Sequence, residues 1–422
     1  MAVKMKVTTL RNIDSWVGIG ITFVLTIFRK LTDFLRNDAS EPVRRILFVK
    51  LAEQGSTVLA HGAILRAVEM VGRKNVYFLV FEENRFILDA LSVIPVDNVI
   101  PVKTRTFVSL VVSVAAAIKR MRSLKLDAAV DMEFFARGSA ICTYLSGATR
   151  RVGFHSYAGD GPYRGDLMTH RLVYNPHMHT SQTFEVMVLA LNHPSELFPA
   201  FAMKAPPLGH ISLPTFSPGA DESAVVRDIL RELTRQDQVP PVILLNANCS
   251  DLLPLRRWES GNYVELAQRL LDRYPDVFIA FTGAPSEKAP VEDLVRQVSS
   301  ERCFSLAGRT TLRQLLIVYS ESEVLVTNDS GPAHFAGLTP IDAITLFGPE
   351  TPRLFAAPSK RSHVVWAGTA CSPCVNAYNN RRLTCRNNLC MQTISVDEVF
   401  DKVCEVFERR NQSCGDRMQA AI

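Results

Sequence analysis

The sequence lacks the features of a nucleic-acid-binding protein. Its formal net charge is +5, but the lysines and arginines are spread along the chain and form no dense block interleaved with aromatic residues. Because nucleic-acid-binding surfaces concentrate both kinds of side chain on one face, we predict no nucleic-acid partner. A mild positive charge of this kind suits an acidic or phosphorylated ligand or an anionic membrane surface.

A cleavable export signal is also missing. The apolar run from Trp16 to Phe28 has roughly 13 residues, whereas a bilayer span needs about 20. Arg29 and Lys30 follow this run, where a signal peptide would carry small residues. The nine cysteines therefore do not indicate a secreted disulfide framework, and Cys142, Cys249 and Cys303 are expected to be buried.

Residues 1–40 instead predict an amphipathic helix that associates with a membrane. Apolar residues recur at helical spacing and form one stripe, with basic residues such as Arg11 and Lys30 around it. We expect this helix to lie on the cytoplasmic face of the inner membrane, against anionic lipid. The alternative is a helix packed on the globular body. The stripe consists of Leu10, Ile13, Val17, Ile21, Val24, Phe28, Leu31 and Leu35.

A chain of 422 residues is too long for one ordinary core, so two domains are expected. Continuous apolar runs alternate with helix-length segments, which is typical of a doubly wound parallel sheet. We predict an α/β fold with Rossmann-like domains at 43–205 and 220–408, a linker at 194–218 and a tail at 409–422. The predicted strands are Ile46 to Val49, Val76 to Phe81, Val99 to Val102, Ala128 to Asp131, Val242 to Leu245, Val277 to Thr282 and Cys303 to Leu306. The predicted helices include Arg85 to Leu91, Phe107 to Leu124, Tyr263 to Arg273 and Ser395 to Glu408.

The stretch from Gly153 to Thr183 is rich in glycine and histidine, which favours loops over regular elements. The spacing of its histidines does not match an established zinc pattern, so we expect solvated loop histidines. They are His155, His170, His177 and His179.

A polar loop, Asn328 to Gly331, lies between two apolar runs in the second half. At the carboxyl end of a parallel strand, backbone N–H groups of such a loop can receive a phosphate. Ser330 and Gly331 are therefore predicted to hold phosphate oxygens, and His334 to donate to phosphate or sugar. Asp329 would repel a diphosphate, so it is assigned to sugar hydroxyls or to fixing the loop. Plain helix capping is the alternative.

Asp329, Ser330, Gly331 and His334 match the pattern D-[ST]-G-x-x-H, and Leu346-Phe347-Gly348-Pro349 follows. These segments resemble glycosyltransferase family 9, the lipopolysaccharide heptosyltransferase family, over roughly residues 44–405. The resemblance implies the GT-B fold, with two Rossmann-like domains facing a cleft. It also implies inverting transfer of a sugar, most plausibly heptose from ADP-heptose, to a lipid-linked saccharide acceptor with no required metal. A G-x-G-x-x-G loop is absent after the first strand, which disfavours an epimerase or dehydrogenase.

The resemblance also implies donor contacts elsewhere in the second half. Arg256 takes the place of a basic residue that meets the diphosphate, and arginine offers a fixed donor fork to phosphate oxygens. The alternative is an exposed arginine that flanks a helix and has no role in binding. Glu287 is expected to meet ribose or base. The other donor-side positions are Asn248 and Cys249 after one strand, and Arg309 and Thr310 after another.

This chain departs from the opening motif of the family at the position of the general base. Lys50 and Gly55 match, but Ser56 stands where the resemblance places the aspartate that acts as general base. A serine hydroxyl takes no proton at neutral pH without a base of its own. Glu53, three residues earlier, is one candidate base, and Asp131 or Glu133 are others. The remaining alternative is a membrane-associated protein that binds the donor without transferring it.

Four cysteines close the second half with the spacing C-x2-C-x10-C-x4-C, namely Cys371, Cys374, Cys385 and Cys390. Four thiolates can bind zinc tetrahedrally. A structural zinc site and a set of reduced structural thiols are the two interpretations, and neither gives the metal a role in transfer.

Overall fold

The computed structural model describes residues 7–33, 42–157, 159, 161–207, 213–249, 253–379 and 383–419. The chain divides into two compact units. Unit 1 comprises Met1–Ile211 and Val375–Arg382, and unit 2 comprises Ser212–Cys374 and Leu383–Ile422. The short segment Val375–Arg382 from the C-terminal half thus belongs to unit 1. There the Tyr378 hydroxyl donates to the Tyr174 carbonyl oxygen over 2.6 Å.

Unit 1 begins with a long helix and continues as alternating strands and helices. In chain order its elements are α1 (Val7–Asp33), β1 (Ile46–Val49), α2 (Gln54–Leu59), α3 (His61–Val71), β2 (Val76–Phe81), α4 (Arg85–Leu91), β3 (Val99–Val102), α5 (Phe107–Ser123), β4 (Ala128–Asp131), α6 (Arg137–Leu145), β5 (Arg150–Phe154), β6 (His170–Leu172) and α7 (Thr180–Ala190).

Six strands of the described part of unit 1 form one parallel sheet in the order β3-β2-β1-β4-β5-β6. Val49, the last residue of β1, pairs with Leu79 on one side and with Asp131 on the other. The strand order reverses between β1 and β4, so the loops that follow these two strands diverge and leave room for a ligand at the carboxyl edge.

The predicted strands of unit 1 are confirmed, because β1 to β4 are buried apolar runs bounded by turns. The prediction of loops across 153–183 is wrong, since β5 ends and β6 lies within that stretch. His170 is buried in β6, with Nε2 2.9 Å from the His193 carbonyl oxygen. His179 is buried at the start of α7 and accepts from the Ser181 N–H. These two histidines are structural, whereas His177 is exposed as expected.

Helix α1 is longer than the apolar run that predicted it. Over Thr9–Thr32 it is long and apolar enough, by length and composition, to cross a membrane. The sequence estimate counted only uninterrupted apolar residues, whereas the helix also includes threonines and glycines that a bilayer tolerates. Leu35, the last member of the predicted stripe, lies outside the described residues.

Unit 2 repeats the alternation of strands and helices. Its elements are α8 (Ala220–Thr234), β7 (Val242–Asn246), α9 (Ser260–Arg273), β8 (Phe278–Phe281), α10 (Lys288–Val298), β9 (Cys303–Ser305), α11 (Leu312–Ser320), β10 (Val324–Asn328), α12 (Gly331–Ala336), β11 (Asp342–Phe347), α13 (Pro352–Phe355), β12 (Ser362–Trp366), α14 (Leu389–Gln392) and α15 (Val396–Gln419).

The described strands of unit 2 form a second six-stranded parallel sheet, in the order β12-β11-β10-β7-β8-β9. Its order reverses between β7 and β10. Helix α15 extends to Gln419, although the sequence predicted a helix ending at Glu408 and a frayed tail. The extension is held because Arg410 pairs with Glu323 and with Asp342, and Arg409 also approaches Asp342.

Candidate functional site

The strand order of unit 2 reverses between β7 and β10, and we call this position its switch point. Two asparagines hold the loops at the switch point together. The Asn328 side chain, at the end of β10, donates to the Asn248 carbonyl oxygen over 3.2 Å and accepts from the Trp258 N–H over 2.9 Å. Asn246, at the end of β7, donates to the Thr282 hydroxyl over 2.9 Å. The loops after β7, β8 and β10 are therefore fixed to one another at the carboxyl edge.

The contacts continue along this edge. A Cβ added to Gly283 would lie 3.0 Å from Asn248 Nδ2, so only glycine lets the β8 loop approach the β7 loop this closely. The Gly308 N–H in turn donates to the Gly283 carbonyl oxygen over 3.1 Å, which ties in the β9 loop. Exposed Arg309 and half-buried Thr310 follow directly. The structure thus places the predicted donor residues on the loops after four adjacent strands, in the spatial order β10, β7, β8, β9, except for Gly331 and His334, which lie in helix α12 after the β10 loop.

Side chains of the loop after β10 form hydrogen bonds within the loop that the sequence did not indicate. The Ser330 hydroxyl donates to the Asn328 carbonyl oxygen over 3.1 Å, and it does not cap α12. Helix α12 starts at Gly331 and is only six residues long. His334 is buried within it. A ligand that takes the Ser330 hydroxyl therefore competes with a local hydrogen bond.

Arg256 lies in a buried ionic cluster. Its Nη1 is 3.1 Å from Glu350 Oε2 and 3.5 Å from Asp329 Oδ2, and all three side chains are nearly inaccessible. The sequence predicted that Arg256 would point its fork at a diphosphate, and the structure adds two carboxylates to the same guanidinium. The alternative prediction, that Arg256 is exposed beside a helix, is wrong. Asp329 is placed to fix this loop, which is one of its two predicted roles.

Burial and paired charges set the protonation of this cluster. Burial raises the pKa of Glu350 well above its usual range, and the nearby Asp329 carboxylate acts in the same direction. Burial opposes the charge of Arg256, but Glu350 and Asp329 more than offset it, so the pKa of Arg256 is raised. The buried guanidinium of Arg256 thus faces two carboxyl groups, and burial favours the protonated form of Glu350.

The other donor candidates are held by local contacts. Glu287 Oε2 accepts from the Ala284 N–H over 2.7 Å and so closes the turn after β8. Asn248 Nδ2 donates to the Thr282 carbonyl oxygen over 3.4 Å. Cys249 is buried, as predicted, and its thiol faces the Leu253 carbonyl oxygen at 3.7 Å. A direct phosphate contact from Cys249 is therefore weaker than the sequence suggested, because a buried thiol is a poor donor.

The switch point of unit 1 has its own ionic pair. Lys50 is fully buried at the end of β1, with Nζ 3.4 Å from Glu133 Oε2. The other oxygen of Glu133 accepts from the Ala52 N–H over 2.8 Å. Both carboxylate oxygens of Glu133 thus hold the loop after β1 against the end of β4. This arrangement makes Lys50 and Glu133 positioning residues of the loop.

That loop carries Glu53 and Ser56. Glu53 has a positive φ of 65°, in the left-handed region that non-glycine residues seldom adopt. The Ser56 hydroxyl donates to the Glu53 carbonyl oxygen over 3.0 Å and lies 3.4 Å from Glu53 Oε2. The half-buried Glu53 carboxylate therefore stands beside the side-chain position at which the family resemblance places a base.

Asp131, another candidate base, lies fully buried at the end of β4. It forms an ion pair with Arg164 and accepts from the Ser139 hydroxyl. Burial raises its pKa from the ordinary 3.8 to about 6, and the Arg164 charge limits the rise. These contacts leave Asp131 inaccessible to an acceptor hydroxyl.

We expect Asp131→Asn to change how the free energy of unfolding depends on pH. The native state holds this proton more tightly than the unfolded chain, so Asp131 makes the wild type less stable as pH rises from its unfolded to its folded pKa. The variant has no such group. Its stability relative to wild type should therefore increase by about 2 kcal/mol between about pH 4.5 and about pH 7. Urea unfolding followed by circular dichroism measures this difference, and a decrease with pH would contradict the assignment.

The cysteines do not assemble a metal site in this arrangement. Among the described residues, no group of three or more His, Cys, Asp or Glu side chains is placed to hold a metal ion. Cys371, Cys385 and Cys390 are free thiols, and Cys385 Sγ donates to the Asn387 carbonyl oxygen over 3.1 Å. Burial and the neighbouring cysteines raise the pKa of Cys374 and Cys390, which favours the protonated thiol. Structural zinc stays a prediction. The four cysteines, as placed in this structure, do not fit it.

Sequence reasoning missed two residues of the unit 2 site. Glu350 directly follows the Phe347-Gly348-Pro349 segment, so an acid at the end of that motif was the available signal. Asn328 was assigned only to a turn, although it bonds the loops of β7 and β10 together. Its position as the last residue of a buried strand was the signal, because a buried amide needs partners.

The fold and its two switch points match solved structures. The structure of E. coli ADP-heptose lipopolysaccharide heptosyltransferase II aligns with a TM-score of 0.64 at 17% identity, covering 87% of this chain and 99% of that one. A glycosyltransferase family 9 structure from Veillonella parvula aligns with a TM-score of 0.65 at 16% identity, covering 88% and 100%. At such identities the likeness shows the fold, so this is a protein of the GT-B class.

The chain belongs to glycosyltransferase family 9 (heptosyltransferase), since the model of that family matches residues 114–383, more than half of its length. Lipopolysaccharide heptosyltransferase 2 of Salmonella typhimurium is 32% identical over 114 residues, which is 26% of this chain and 32% of the relative. The E. coli enzyme of the same name gives the same values. The matched stretch thus spans about a third of these curated relatives.

Proposed function

We propose that this protein is an inverting glycosyltransferase that transfers heptose from ADP-heptose to a lipopolysaccharide-core or other lipid-linked saccharide. The observation that carries the proposal is the set of four loops bonded to one another at the carboxyl edge of the unit 2 sheet, which carry the predicted donor residues together with the start of helix α12. Family membership supports the reaction class. The name of the solved E. coli relative supports the donor.

In this reaction a base removes the proton from the acceptor hydroxyl while its oxygen attacks the anomeric carbon. The bond from that carbon to the diphosphate oxygen breaks on the opposite face, and the nucleoside diphosphate leaves with the electron pair. Burial favours the neutral form of Glu350, which reduces the negative charge beside Arg256 that would repel the diphosphate. Exposed Arg309 adds positive charge at the same edge.

We assign the base to Glu53. Asp131 is fully buried in its pair with Arg164, and both oxygens of Glu133 are bonded to the loop after β1. Glu53 is less buried than either, and its carboxylate lies beside the Ser56 side chain. The carboxylate of Glu53, three residues before the position of the family's base, thus serves as the proton acceptor in place of Ser56.

We expect nucleotide sugars to protect unit 2 against thermal unfolding, with ADP-heptose above UDP- and GDP-sugars. A ligand at about 100 times its dissociation constant adds roughly 2.7 kcal/mol of stability. A thermal-shift screen measures the effect. Asn248→Ala should weaken it, whereas Asn75→Ala, a half-buried asparagine at the amino end of β2, is the matched control. Protection by none of these donors would contradict the proposal.

Ser56 favours a second candidate, a donor-binding protein that performs no transfer. The two candidates share the unit 2 site and differ in turnover. Incubation with ADP-heptose and a heptose-deficient lipopolysaccharide acceptor, followed by mass spectrometry of the lipid, separates them. An acceptor heavier by one heptose supports the transferase. Protection by ADP-heptose without any product supports the second candidate.

A lipid-linked acceptor requires access to a membrane. We therefore propose a cytoplasmic protein bound peripherally to the inner face of the cytoplasmic membrane, with anionic lipid as a partner alongside donor and acceptor.

A further inference from the structure

Helix α1 docks on unit 1 through its polar face. Asp14 Oδ1 accepts from the N–H groups of Arg137 and Gly138, over 2.9 and 2.7 Å, and so caps the first turn of α6. One turn later, a Cβ added to Gly18 would lie 2.9 Å from Arg137 Cβ, so glycine lets the two helices approach closely. Thr22, another turn along, is fully buried.

The docked face continues to the far end of the helix. The Thr26 hydroxyl accepts from the Asp166 N–H over 2.9 Å. Arg29 pairs with the Asp166 carboxylate at 3.0 Å and donates to the Met168 carbonyl oxygen over 2.9 Å. Positions 14, 18, 22, 26 and 29 recur at helical spacing, so one stripe of small and polar residues makes these contacts.

The apolar stripe therefore faces away from unit 1, which is the reverse of an ordinary surface helix. Trp16 is 82% exposed and Phe28 is 57% exposed. The full set of exposed large apolar residues on this helix is Trp16, Val17, Ile19, Ile21, Phe23, Val24, Ile27, Phe28 and Leu31. An apolar surface of this size marks an interaction site rather than ordinary surface variation.

A second helix of unit 1 adds to this surface. Helix α5 exposes Phe107, Val108, Val111 and Val112 in its first two turns, with Val108 69% exposed. Helix α6 contacts both α1 and α5 and so lies between them. Both α5 and α6 begin just after the carboxyl ends of strands, and Asp14 of α1 meets the start of α6. The apolar first turns of α5 and the Asp14 turn of α1 thus lie near the same end of α6.

The charges on these helices select the partner. Helix α5 has no acidic residue and ends with exposed Lys119, Arg120 and Arg122. Exposed Lys30 lies near the end of α1, and Arg44, Arg45 and Lys125 line one pocket beside the amino ends of β1 and β4. Apolar side chains followed by exposed cations match the acyl and headgroup regions of an anionic bilayer.

We propose that the apolar faces of α1 and α5 form one docking surface for an anionic phospholipid bilayer, with α1 lying in the membrane plane. Docking through Asp14, Thr26 and Arg29 keeps α1 beside α6, so it does not cross the bilayer. The apolar first turns of α5 and the Asp14 turn of α1 lie at the edge of the sheet at which β1 and β4 finish, and the apolar face of α1 continues from there to Leu31. Membrane binding through this surface does not depend on whether transfer occurs.

Flotation with vesicles tests the proposal, using the full chain and vesicles of phosphatidylethanolamine with or without phosphatidylglycerol. The substitutions Val17→Glu, Val24→Glu and Phe28→Glu together should lower the vesicle-bound to free ratio by about 100-fold. Val108→Glu with Val112→Glu should lower it by about 10-fold. Omitting phosphatidylglycerol should also weaken binding of the wild type. The matched control places three glutamates on exposed apolar positions of unit 2 helices, Val225, Leu312 and Leu389, and should bind as the wild type does.

Three results would overturn the proposal. The first is undiminished flotation of the α1 triple variant, or an equal loss in the control. The second is a lipid-free dimer that the α1 triple variant converts to monomers, because a second copy would then cover the face. The third is retention of the wild type in membranes after alkaline carbonate extraction, which would mean that α1 spans them. A serine triple at Val17, Val24 and Phe28 separates lost apolar area from added charge and should bind weakly as well.

Discussion

Replacing Glu53 with glutamine is expected to lower kcat for heptosyl transfer by about 10²- to 10⁴-fold, the usual contribution of a positioned base. The amide keeps the size of the side chain and a hydrogen-bonding oxygen, so the loop after β1 and the thermal stability should be unchanged. The effect should fall on kcat with little change in the KM for the donor, because the donor residues lie in unit 2. Steady-state kinetics with ADP-heptose measures both constants.

Ser56 offers a direct control for this assignment. Ser56→Ala removes the hydroxyl next to Glu53 and should change kcat by far less than Glu53→Gln, since serine is not the proton acceptor. Ser56→Asp in the Glu53→Gln background returns a carboxylate to the position that the family resemblance assigns to the base, and it should recover part of the lost rate. Unchanged transfer by Glu53→Gln would remove Glu53 as the base.

The strands that organise both sites could be predicted from sequence because they are mostly buried. Ile46 to Val49 and Val76 to Phe81 are apolar runs bounded by turn residues, and the structure gives them the same bounds. The edge strand β6 could not be found this way. It has three residues, His170 to Leu172, and the histidine is satisfied by a carbonyl group 23 residues away in the chain. Such a partner is fixed by tertiary structure, which local pattern does not encode.

For the sites, sequence indicated which loops matter but not which side chains meet. The polar loops after β1 and β10 were both predicted, because polar residues following a buried strand collect at the carboxyl edge. The pairing of Arg256 with Glu350 joins residues 94 positions apart, and no spacing rule connects them. The docking of α1 was predicted only as the alternative of a helix packed on the globular body, and its contacts could not be predicted for a similar reason. Its apolar stripe predicted the exposed face, but the polar stripe that holds it has partners more than 120 positions away.

The buried cluster of unit 2 makes a second large effect testable. Arg256→Met is expected to destabilise unit 2 by about 3–5 kcal/mol, because it leaves the buried carboxylate of Asp329 without its cation. Glu350→Gln should cost much less, under about 1 kcal/mol, since burial favours the protonated carboxyl group, which the amide resembles. Trp16→Phe provides a suitable background, because the remaining tryptophans, Trp258 and Trp366, both lie in unit 2. Urea unfolding followed by tryptophan fluorescence then reports on this unit.

The size of the Arg256 effect should come from the uncompensated charge and not from the loss of an arginine as such. Arg227→Met removes an arginine from an exposed pair with Glu321 in the same unit, and it should cost far less than Arg256→Met because solvent screens the exposed pair. Neutralising the whole cluster, with Asp329→Asn and Glu350→Gln added to Arg256→Met, should recover stability relative to Arg256→Met alone, because no buried charge is then left. If the triple variant were less stable than Arg256→Met, the buried charge would not be the cause. If Glu350→Gln cost as much as Arg256→Met, Glu350 would be ionised in the native state.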